Sequence, residues 1–378
     1  MNKVAVLAGA STKYEQQVTD NIEEMLFQVN KAVLDKAGVN RTAVDAVIVS
    51  SSDYWTGISC TDAYGLEAVG GCYKDVKKIA EDSLLAFIYG CLRLLGGNAE
   101  LVLVSSFTKH SEVPSRNTLT HLYSDPFIQR PTGIEDLSAA ALQAKLYMHR
   151  YGITEEQISQ VAHKNFNNGM LEASQGRGKN VEMEEILASA YLASPLREGH
   201  CAVDRDGACA VLLASEKKVQ ELGLEPVWVK GVGWNTDYSY FGDRDLLNGS
   251  LIKAAQQAYK MAGIVNPGQE LDVAELCEPY AYQELLWYEQ LGFCRKGEGG
   301  AFLDSGVTAL EGELPVNPSG GVLSANLQVA RGLDRAIEAF KQVKQEAGNR
   351  QIKNVKNALA HSSSGLAGQQ HVVAILGQ

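Results

Sequence analysis

Short hydrophobic runs of strand length alternate with longer segments of helical periodicity along most of the chain. Residues 4–10, 43–51 and 99–106 are apolar and rich in β-branched residues, which predicts buried strands. Between them, residues 21–38 have an amphipathic helical pattern, and residues 83–97 are almost entirely apolar, which predicts a helix buried on most sides. This strand–helix–strand rhythm predicts an α/β protein with a parallel sheet that is covered on both faces.

The second half of the chain repeats this order of elements without repeating its sequence. Further strands are predicted at 208–215, 227–234, 272–279, 357–363 and 371–377. Further helices are predicted at 137–151, 155–168, 250–263, 281–292 and 325–343. The pattern indicates two similar β/α halves, residues 1–225 and 226–378. Because no low-complexity linker separates these halves, we expect them to pack tightly.

The first half carries a long inserted region at about 107–206, and parts of it lack any clear period. The stretch 107–135 is rich in Ser, Thr, His and Pro and includes His110 and His121. A long irregular insertion in an α/β protein is often a binding or interface loop. We therefore expect this region to border a functional site.

Composition narrows the classes of function. The 378 residues are 45% hydrophobic and carry a net charge of -11, which argues against a nucleic-acid surface but leaves room for a local basic patch. The seven cysteines form no CxxC pair and show no zinc spacing, which favours free thiols in the cytoplasm and no metal site. The first residues have the pattern of a strand rather than of a signal peptide, and no run has the ~18 apolar residues that predict a membrane span.

Several motifs together resemble the thiolase superfamily, particularly its sterol-carrier-protein-type branch. The most specific is VNPSGG at 316–321. Similar segments, in the same order as in the family, are GASTKY (9–14), LVLVSSFTKHSE (101–112), 147–171, 194–217 and 272–306. The resemblance covers most of the chain. It implies a five-layer αβαβα fold, a dimer, and a coenzyme A thioester as substrate or ligand without a covalently bound cofactor.

The family's nucleophilic cysteine stands at the start of its first buried helix, where the helix N-terminus favours the thiolate. Here this place has the sequence Ala80-Glu81-Asp82-Ser83. Two alignments are possible, and they put Ser83 or Ala80 in the cysteine's position. A serine nucleophile needs an adjacent base, whereas Ser and Asp commonly cap helices. Capping is the favoured interpretation of Ser83, with a nucleophile as the alternative.

Two further family motifs are altered. The Gly-His-Pro after NPSGG is missing, and Asn326 lies in its region. Asn326 is a candidate oxyanion donor or, equally well, the cap of the next helix. The family's HDCF or NEAF segment appears here as Cys277-Glu278-Pro279-Tyr280. Cys277 is expected to pack at the end of a buried strand, but that position also makes Cys277, Glu278 and Tyr280 candidate site residues.

The C-terminal motif keeps the family's chemical residue better than the other motifs do. His361 ends a predicted strand and precedes a Ser/Gly-rich turn that contains Gly365. The resemblance implies a catalytic role for His361 and places Gly365, Ser319, Gly320 and Gly321 near the substrate thioester. Glycines in such turns allow backbone N–H groups to approach a carbonyl oxygen.

These residues support three hypotheses. The first is an acyl-CoA-binding enzyme that makes or breaks C–C bonds by a non-cysteine, aldolase- or lyase-type mechanism, with His361, Tyr280, Tyr282 and Glu278 as candidate acid–base groups. The second is a catalytically degenerate subunit that completes a hetero-oligomeric thiolase or acyltransferase, paired with a second thiolase-like chain or a small zinc-ribbon/OB-fold protein. The third, ranked lowest, is thiolysis with Cys277 as a replacement nucleophile.

Overall fold

The computed structural model describes residues 3–80, 82–113 and 115–378. Glu81, which belongs to the place of the family's nucleophile, lies outside the described residues. The strands are β1 (Val4–Ser11), β2 (Ala46–Ser51), β3 (Asp75–Ala80), β4 (Leu101–Thr108), β5 (Tyr191–Ala193), β6 (Leu196–Arg197), β7 (Gly207–Ser215), β8 (Val227–Thr236), β9 (Val273–Glu275), β10 (Asn357–Ser364) and β11 (Gln370–Gly377).

The α-helices vary from single turns to 16 residues. They are α1 (Ile22–Ala37), α2 (Asp53–Thr56), α3 (Thr61–Tyr64), α4 (Ser83–Leu95), α5 (Arg116–Leu122), α6 (Asp136–Tyr151), α7 (Glu155–Met170), α8 (Met183–Ala188), α9 (Glu216–Leu222), α10 (Leu251–Ala262), α11 (Pro267–Glu270), α12 (Ala281–Gln290), α13 (Gly299–Asp304), α14 (Gly321–Ser324) and α15 (Arg331–Lys344). Within the described ranges, no helix is long and apolar enough to cross a membrane.

Nine strands form one mixed sheet in the order β3-β2-β4-β7-β1-β8-β11-β10-β9. The pairs β2–β3, β2–β4 and β9–β10 are parallel, whereas β1–β7, β4–β7, β8–β11, β10–β11 and the short β1–β8 pair are antiparallel. The sheet is therefore mixed rather than parallel as predicted. One reason is that β10 and β11 are joined by a short turn, which only antiparallel neighbours can use.

The strand order is symmetric about the β1–β8 pair. Outward from this pair, each side has the first strand of one half (β1 or β8), then that half's last strand (β7 or β11), and then the strand that precedes the last one within the nine-stranded sheet (β4 or β10). This order accords with two similar halves. The boundary near residue 225 remains a prediction.

The two parts of the sheet, joined only by the short β1–β8 pair, act as two strand layers, and helices outside and between them complete five layers. Helix α1 packs on the outer face of β1, β4 and β7, and α10 packs on the outer face of β8 and β11. Helices α4 and α15 contact each other and strands of both halves, so they form the middle layer. The strands alternate accordingly: Leu359, Val373 and Ile375 belong to the core beside α10, whereas Ala360 and Ala374 face the middle layer. The α/β class and thiolase-like layering expected from the sequence are confirmed.

The structure differs from the sequence prediction where the hydrophobic periodicity of the sequence is weak. Strand β3 was not predicted, and the irregular regions contain α5, α8 and the β5–β6 hairpin. The predicted strand 272–279 shortens to β9, because Leu276 N donates to Asn317 Oδ1 at 2.6 Å instead of continuing the sheet. The residues after β9 thereby turn towards the site described next.

Candidate functional site

Four segments meet at one edge of the middle layer: the N-terminus of α4, the residues after β9, the end of β10 and the start of α15. Ser83 Oγ accepts a hydrogen bond from Leu333 N at 2.8 Å, which joins α4 to α15. Ser363 Oγ donates to Cys277 O at 3.2 Å, which joins β10 to the segment after β9. The predicted site residues Ser83, Cys277 and His361 therefore belong to one corner of the fold.

Ser83 is buried and joins two helices in this corner. The cap of α4 is Asp82, whose carboxylate accepts hydrogen bonds from two N–H groups of the first turn, so the prediction that Ser83 caps the helix is wrong by one residue. Within the described residues, the side chain of Ser83 makes a single hydrogen bond, to Leu333 N–H. A hydroxyl that accepts from a backbone N–H without a base beside it is poorly activated as a nucleophile.

Cys277 is fully buried behind the same corner. Its Sγ lies 3.9 Å from Ser363 Oγ. Burial raises the pKa of the Cys277 thiol, and the nearby positive charge of Arg331 opposes this shift only in part. The thiol therefore stays protonated near neutral pH, which argues against Cys277 as a replacement nucleophile.

His361 lies in a buried histidine pair next to Cys277. Its Nε2 contacts His371 Nδ1 at 2.9 Å, and Cys277 N donates to its Nδ1 at 3.4 Å. The ring of Trp287 packs edge-on with a centroid distance of 4.7 Å. Burial lowers the pKa of His361 well below its usual value and that of His371 to about 3. Both imidazoles are therefore neutral near pH 7, and the pair orients the residues behind the site.

Glu278 is directed into the protein interior. Its Oε1 accepts from Asn165 Nδ2 at 3.1 Å and from Leu323 N at 3.2 Å. Burial, followed by the negative charge of Glu284, raises the pKa of Glu278 well above its usual value. Glu278 therefore retains a proton and contributes a neutral hydrogen-bonding group to this buried cluster.

The NPSGG turn lies beneath the corner and is also buried. Ser319 Oγ donates to Glu275 Oε2 and accepts from Arg335 Nη1, both at 2.6 Å. Gly320 (φ 88°) and Gly321 (φ 62°) have left-handed backbone conformations, and a Cβ atom would lie 2.6 Å from a carbonyl oxygen of α7 at the first and 1.9 Å from a glutamate oxygen at the second. In this structure, the three residues join β9, α7 and α15.

A narrow cleft of about 30 Å³ opens beside the corner. Its lining includes Trp55, Arg116, Asp136, Gln328, Arg331 and Gly365. Gly365 is the predicted residue that reaches this lining. The others come from the inserted region, from the segment 51–56 and from the start of α15.

Asp136, at the first position of α6, organises one wall of the cleft. Its Oδ2 accepts hydrogen bonds from Arg116 Nη2 at 2.6 Å and from the Tyr280 hydroxyl at 2.9 Å. The Arg116 guanidinium also lies over the Tyr280 ring, 5.6 Å from its centroid. Burial, and then the charge of Asp136, raises the pKa of Tyr280 well above its usual value. Tyr280 is therefore a phenol held against a carboxylate, an arrangement that can move a proton.

A second carboxylate, Asp204, stands next to Arg116. Asn326 Nδ2 and Gln328 Nε2 each donate to its Oδ1 at 2.7 Å, and His110 Nε2 lies 3.2 Å from its Oδ2. Asn326 Oδ1 accepts from Gln328 N at 3.0 Å, so Asn326 caps the turn before α15. The amide of Asn326 is thus occupied by a carboxylate.

Sequence reasoning missed Arg116, Asp136 and Asp204 as site residues. They lie in or beside irregular parts of the insertion, where no periodicity marks their orientation. The sequence did offer one indication of these residues. The insertion was expected to border a functional site, and it contains His110. Chemically, the cleft and the side chains bonded to its wall combine a phenol, carboxylates and cations, and no cysteine is among the described lining residues, which suits proton transfer better than acyl transfer to the protein.

Comparison with known sequences is consistent with this geometry. Residues 234–378 match a family model described as thiolase C-terminal domain-like. An acetyl-CoA acetyltransferase of Methanothermobacter thermautotrophicus is 28% identical, over 97% of this chain and 98% of that protein. Sterol carrier protein 2 of Oryctolagus cuniculus is 30% identical, over 73% of this chain and 53% of its own. The benzoylsuccinyl-CoA thiolase subunit BbsB of Thauera aromatica is 31% identical, over 60% and 59%.

Solved structures with the same fold include an aldolase. The Ltp2-ChsH2(DUF35) aldolase superposes with a TM-score of 0.83 at 21% identity, covering 99% of this chain and 97% of that one. Human mitochondrial 3-ketoacyl-CoA thiolase in complex with CoA superposes with a TM-score of 0.75 at 17% identity, covering 100% and 98%. At these identities the likeness establishes the fold.

Proposed function

We propose that this chain, whose residues 234–378 match a thiolase C-terminal domain-like model, acts as a thiolase-superfamily protein that binds an acyl-CoA and makes or breaks a C–C bond without forming an acyl-cysteine. One observation carries the proposal: the family's nucleophile position, residues 80–83, has no cysteine here and Ser83 is buried, while Tyr280 and Asp136 form a hydrogen-bonded acid–base pair at the wall of the cleft. The pair favours an aldolase-type reaction, and a fold neighbour is named as an aldolase.

In the cleavage direction, a 3-hydroxyacyl-CoA would lie with its hydroxyl towards Asp136. Asp136 takes the hydroxyl proton, the C2–C3 bond breaks, and its electron pair becomes the thioester enolate while C3 leaves as a carbonyl. Tyr280 then gives its proton to C2 and regains one from Asp136. The products are a shorter acyl-CoA and an aldehyde or ketone. The reverse sequence forms the bond.

Substrate entry requires the cleft to widen. A volume of about 30 Å³ holds one or two water molecules, far less than an acyl thioester. The cleft lies between α5 and the turn Gln328–Ala330, so we expect these two segments to separate on binding.

The test combines product analysis with intact mass. The protein is incubated with 3-hydroxyacyl-CoA substrates of varied chain length, carbonyl products are trapped with a hydrazine, and the acyl-CoA pool is analysed by mass spectrometry. We expect a carbonyl product and a shortened acyl-CoA in equal amounts, with the protein mass unchanged. A stable acyl adduct on Ser83 or Cys277 would overturn the non-covalent mechanism.

The second candidate is a non-catalytic subunit of a hetero-oligomer. It is favoured by the unactivated Ser83 together with two similar proteins whose names describe a subunit and a two-protein aldolase. If the neighbouring coding sequence retains the family's cysteine and Gly-His-Pro motifs, and the complex purified from the host keeps full turnover when this chain carries Tyr280→Phe, this alternative replaces the first. Loss of turnover in that complex supports the first.

A further inference from the structure

Among the residues that the structure describes, Arg331 is a cation in the cleft that has no carboxylate partner. It is the first residue of α15, it is partly buried, and its Nη2 donates to Ser363 O at 2.6 Å. Within the described ranges, no Asp or Glu oxygen lies within the 4.0 Å that defines an ion pair with Arg331. The contact with Ser363 holds one side of the guanidinium, and the side chain lines the cleft.

The guanidinium and amide donors in and beside the cleft, other than Arg331, are already hydrogen-bonded to carboxylates. Arg116 donates to Asp136, and the amides of Asn326 and Gln328 donate to Asp204. Arg331 therefore remains as the strong donor among these groups that is available to an incoming anion.

The field of Arg331 reaches the corner where the reacting thioester is expected. Burial raises the pKa of Asp82, and Arg331 is among the groups that lower it again; Cys277 responds in the same way. The guanidinium thus lies close enough to the N-terminus of α4 and to the segment after β9 for its charge to act on both.

We propose that Arg331 binds the thioester oxygen and stabilises the negative charge that it acquires when the C2–C3 bond breaks. The inference rests on the proposed aldolase-type function and deepens it. The charge of the enolate is concentrated on that oxygen, and a donor that is already oriented, here by Ser363 O, stabilises it without reorganisation during the reaction. Removal of one such donor typically costs 10²–10³ in rate.

The experiment measures enolate formation separately from C–C cleavage. A saturated acyl-CoA without a hydroxyl group is incubated in D₂O, and exchange of its C2 protons is followed by mass spectrometry. Cleavage of a 3-hydroxyacyl-CoA is measured in parallel. We expect Arg331→Gln to slow exchange and cleavage by roughly 10²–10³, while the Kd for acyl-CoA changes by less than about threefold.

Arg331→Lys and Arg331→Ala make the test specific. Lysine keeps the charge and should retain part of the rate, and added guanidinium should partly restore Arg331→Ala, because the lost group acts on the substrate. Arg197→Gln, which removes a partly exposed arginine paired with Glu155, is the matched control and should leave both rates unchanged.

The outcomes distinguish failure of the proposed aldolase-type function from failure of the proposed role of Arg331. If the wild-type chain neither cleaves nor exchanges, the proposed function fails. If it does both and Arg331→Gln retains its kcat, or loses only affinity, the role of Arg331 is wrong. If circular dichroism shows that Arg331→Gln is unfolded, Arg331→Lys and guanidinium rescue of Arg331→Ala decide by the same criteria. Absence of rescue, with Arg331→Lys as inactive as Arg331→Ala, means a purely structural role.

Discussion

At the scale of single residues, the hydroxyl of Tyr280 is the group most directly tied to the proposed chemistry. Tyr280→Phe removes the proton donor to Asp136 and leaves the ring packed in place. We expect kcat for cleavage to fall by roughly 10²–10⁴, the usual contribution of a positioned acid or base. Steady-state kinetics on a 3-hydroxyacyl-CoA checks this.

Tyr259→Phe is the matched control for Tyr280→Phe. Tyr259 is also buried, and its hydroxyl donates to Leu291 O at 2.9 Å on another part of the protein. Either substitution removes one buried hydrogen bond, so each should lower the free energy of unfolding by about 1–3 kcal/mol. Only Tyr280→Phe should lose turnover; equal turnover in the two variants contradicts the assignment.

In contrast to Tyr280, Cys277 is expected to be unreactive and dispensable for turnover. Because burial raises the pKa of its thiol, Cys277 should resist alkylation in the native protein, whereas the exposed Cys60 and Cys72 should react with iodoacetamide at about pH 7.5. Cys277→Ala should keep kcat within about threefold. Peptide mapping and kinetics test both points, and rapid native labelling of Cys277 with parallel loss of activity would restore the thiolase hypothesis.

The positions of residues were predictable where they follow from the chain's elements, whereas their hydrogen-bond partners were not. The sequence placed Tyr280, Asn326 and Gly365 in the region of the cleft, because each follows a recognisable element. It could not show that Asn326 would be occupied by Asp204, since that contact spans 122 residues of sequence. Long-range polar pairing leaves no periodic trace in a single sequence.

At the scale of elements, the β10–β11 hairpin contains a buried pair of histidines that should make folding sensitive to acid. Burial lowers the pKa of His371 to about 3, whereas an unfolded histidine titrates near 6.5. Below about pH 6.5 the unfolded chain binds a proton that the folded chain excludes, so stability is full above that pH and is lost as the pH falls towards 3. At about pH 5 the loss should be about 2 kcal/mol.

The measurement compares urea unfolding at about pH 7 and pH 5 for the wild type and His371→Gln. The variant should show a pH dependence smaller by about 2 kcal/mol, because the remaining titrating groups are common to both proteins. His149→Gln, which removes an exposed histidine of α6, is the control and should behave like the wild type. An unchanged pH dependence in His371→Gln would show that His371 does not titrate on unfolding.

Elements with a strong apolar period were predicted well, and those without one were not. Helices α1, α6 and α7 and strands β1, β4, β10 and β11 appear within a few residues of their predicted bounds. Strand β3 was missed because its sequence DVKKIA carries charged residues on an exposed sheet edge, where nothing selects an apolar pattern. The short helix α5, which forms one side of the cleft, was also missed, because its sequence has no clear apolar period.

At the scale of the whole molecule, the middle layer of helices makes the folding of each half depend on the other. Its core combines Leu84 and Phe87 of α4 with Leu333, Ile337 and Phe340 of α15. These side chains are buried because α4 and α15 contact each other and strands of both halves. The sequence predicted two tightly packed halves from the missing linker, but which faces would meet follows only from the three-dimensional arrangement.

This arrangement predicts that residues 1–225 do not fold alone. Without α15, the fragment would expose the inner face of α4 and of its own strands, and each fully buried Leu or Phe contributes about 1.5–3 kcal/mol on burial, so several exposed side chains exceed the typical total stability of a domain. We expect the isolated fragment to show rapid limited proteolysis and no cooperative urea transition, and co-expression with residues 226–378 to restore both. A cooperative transition of fragment 1–225 alone would instead show that the first half is an autonomous domain, and that α15 is an accessory to its stability.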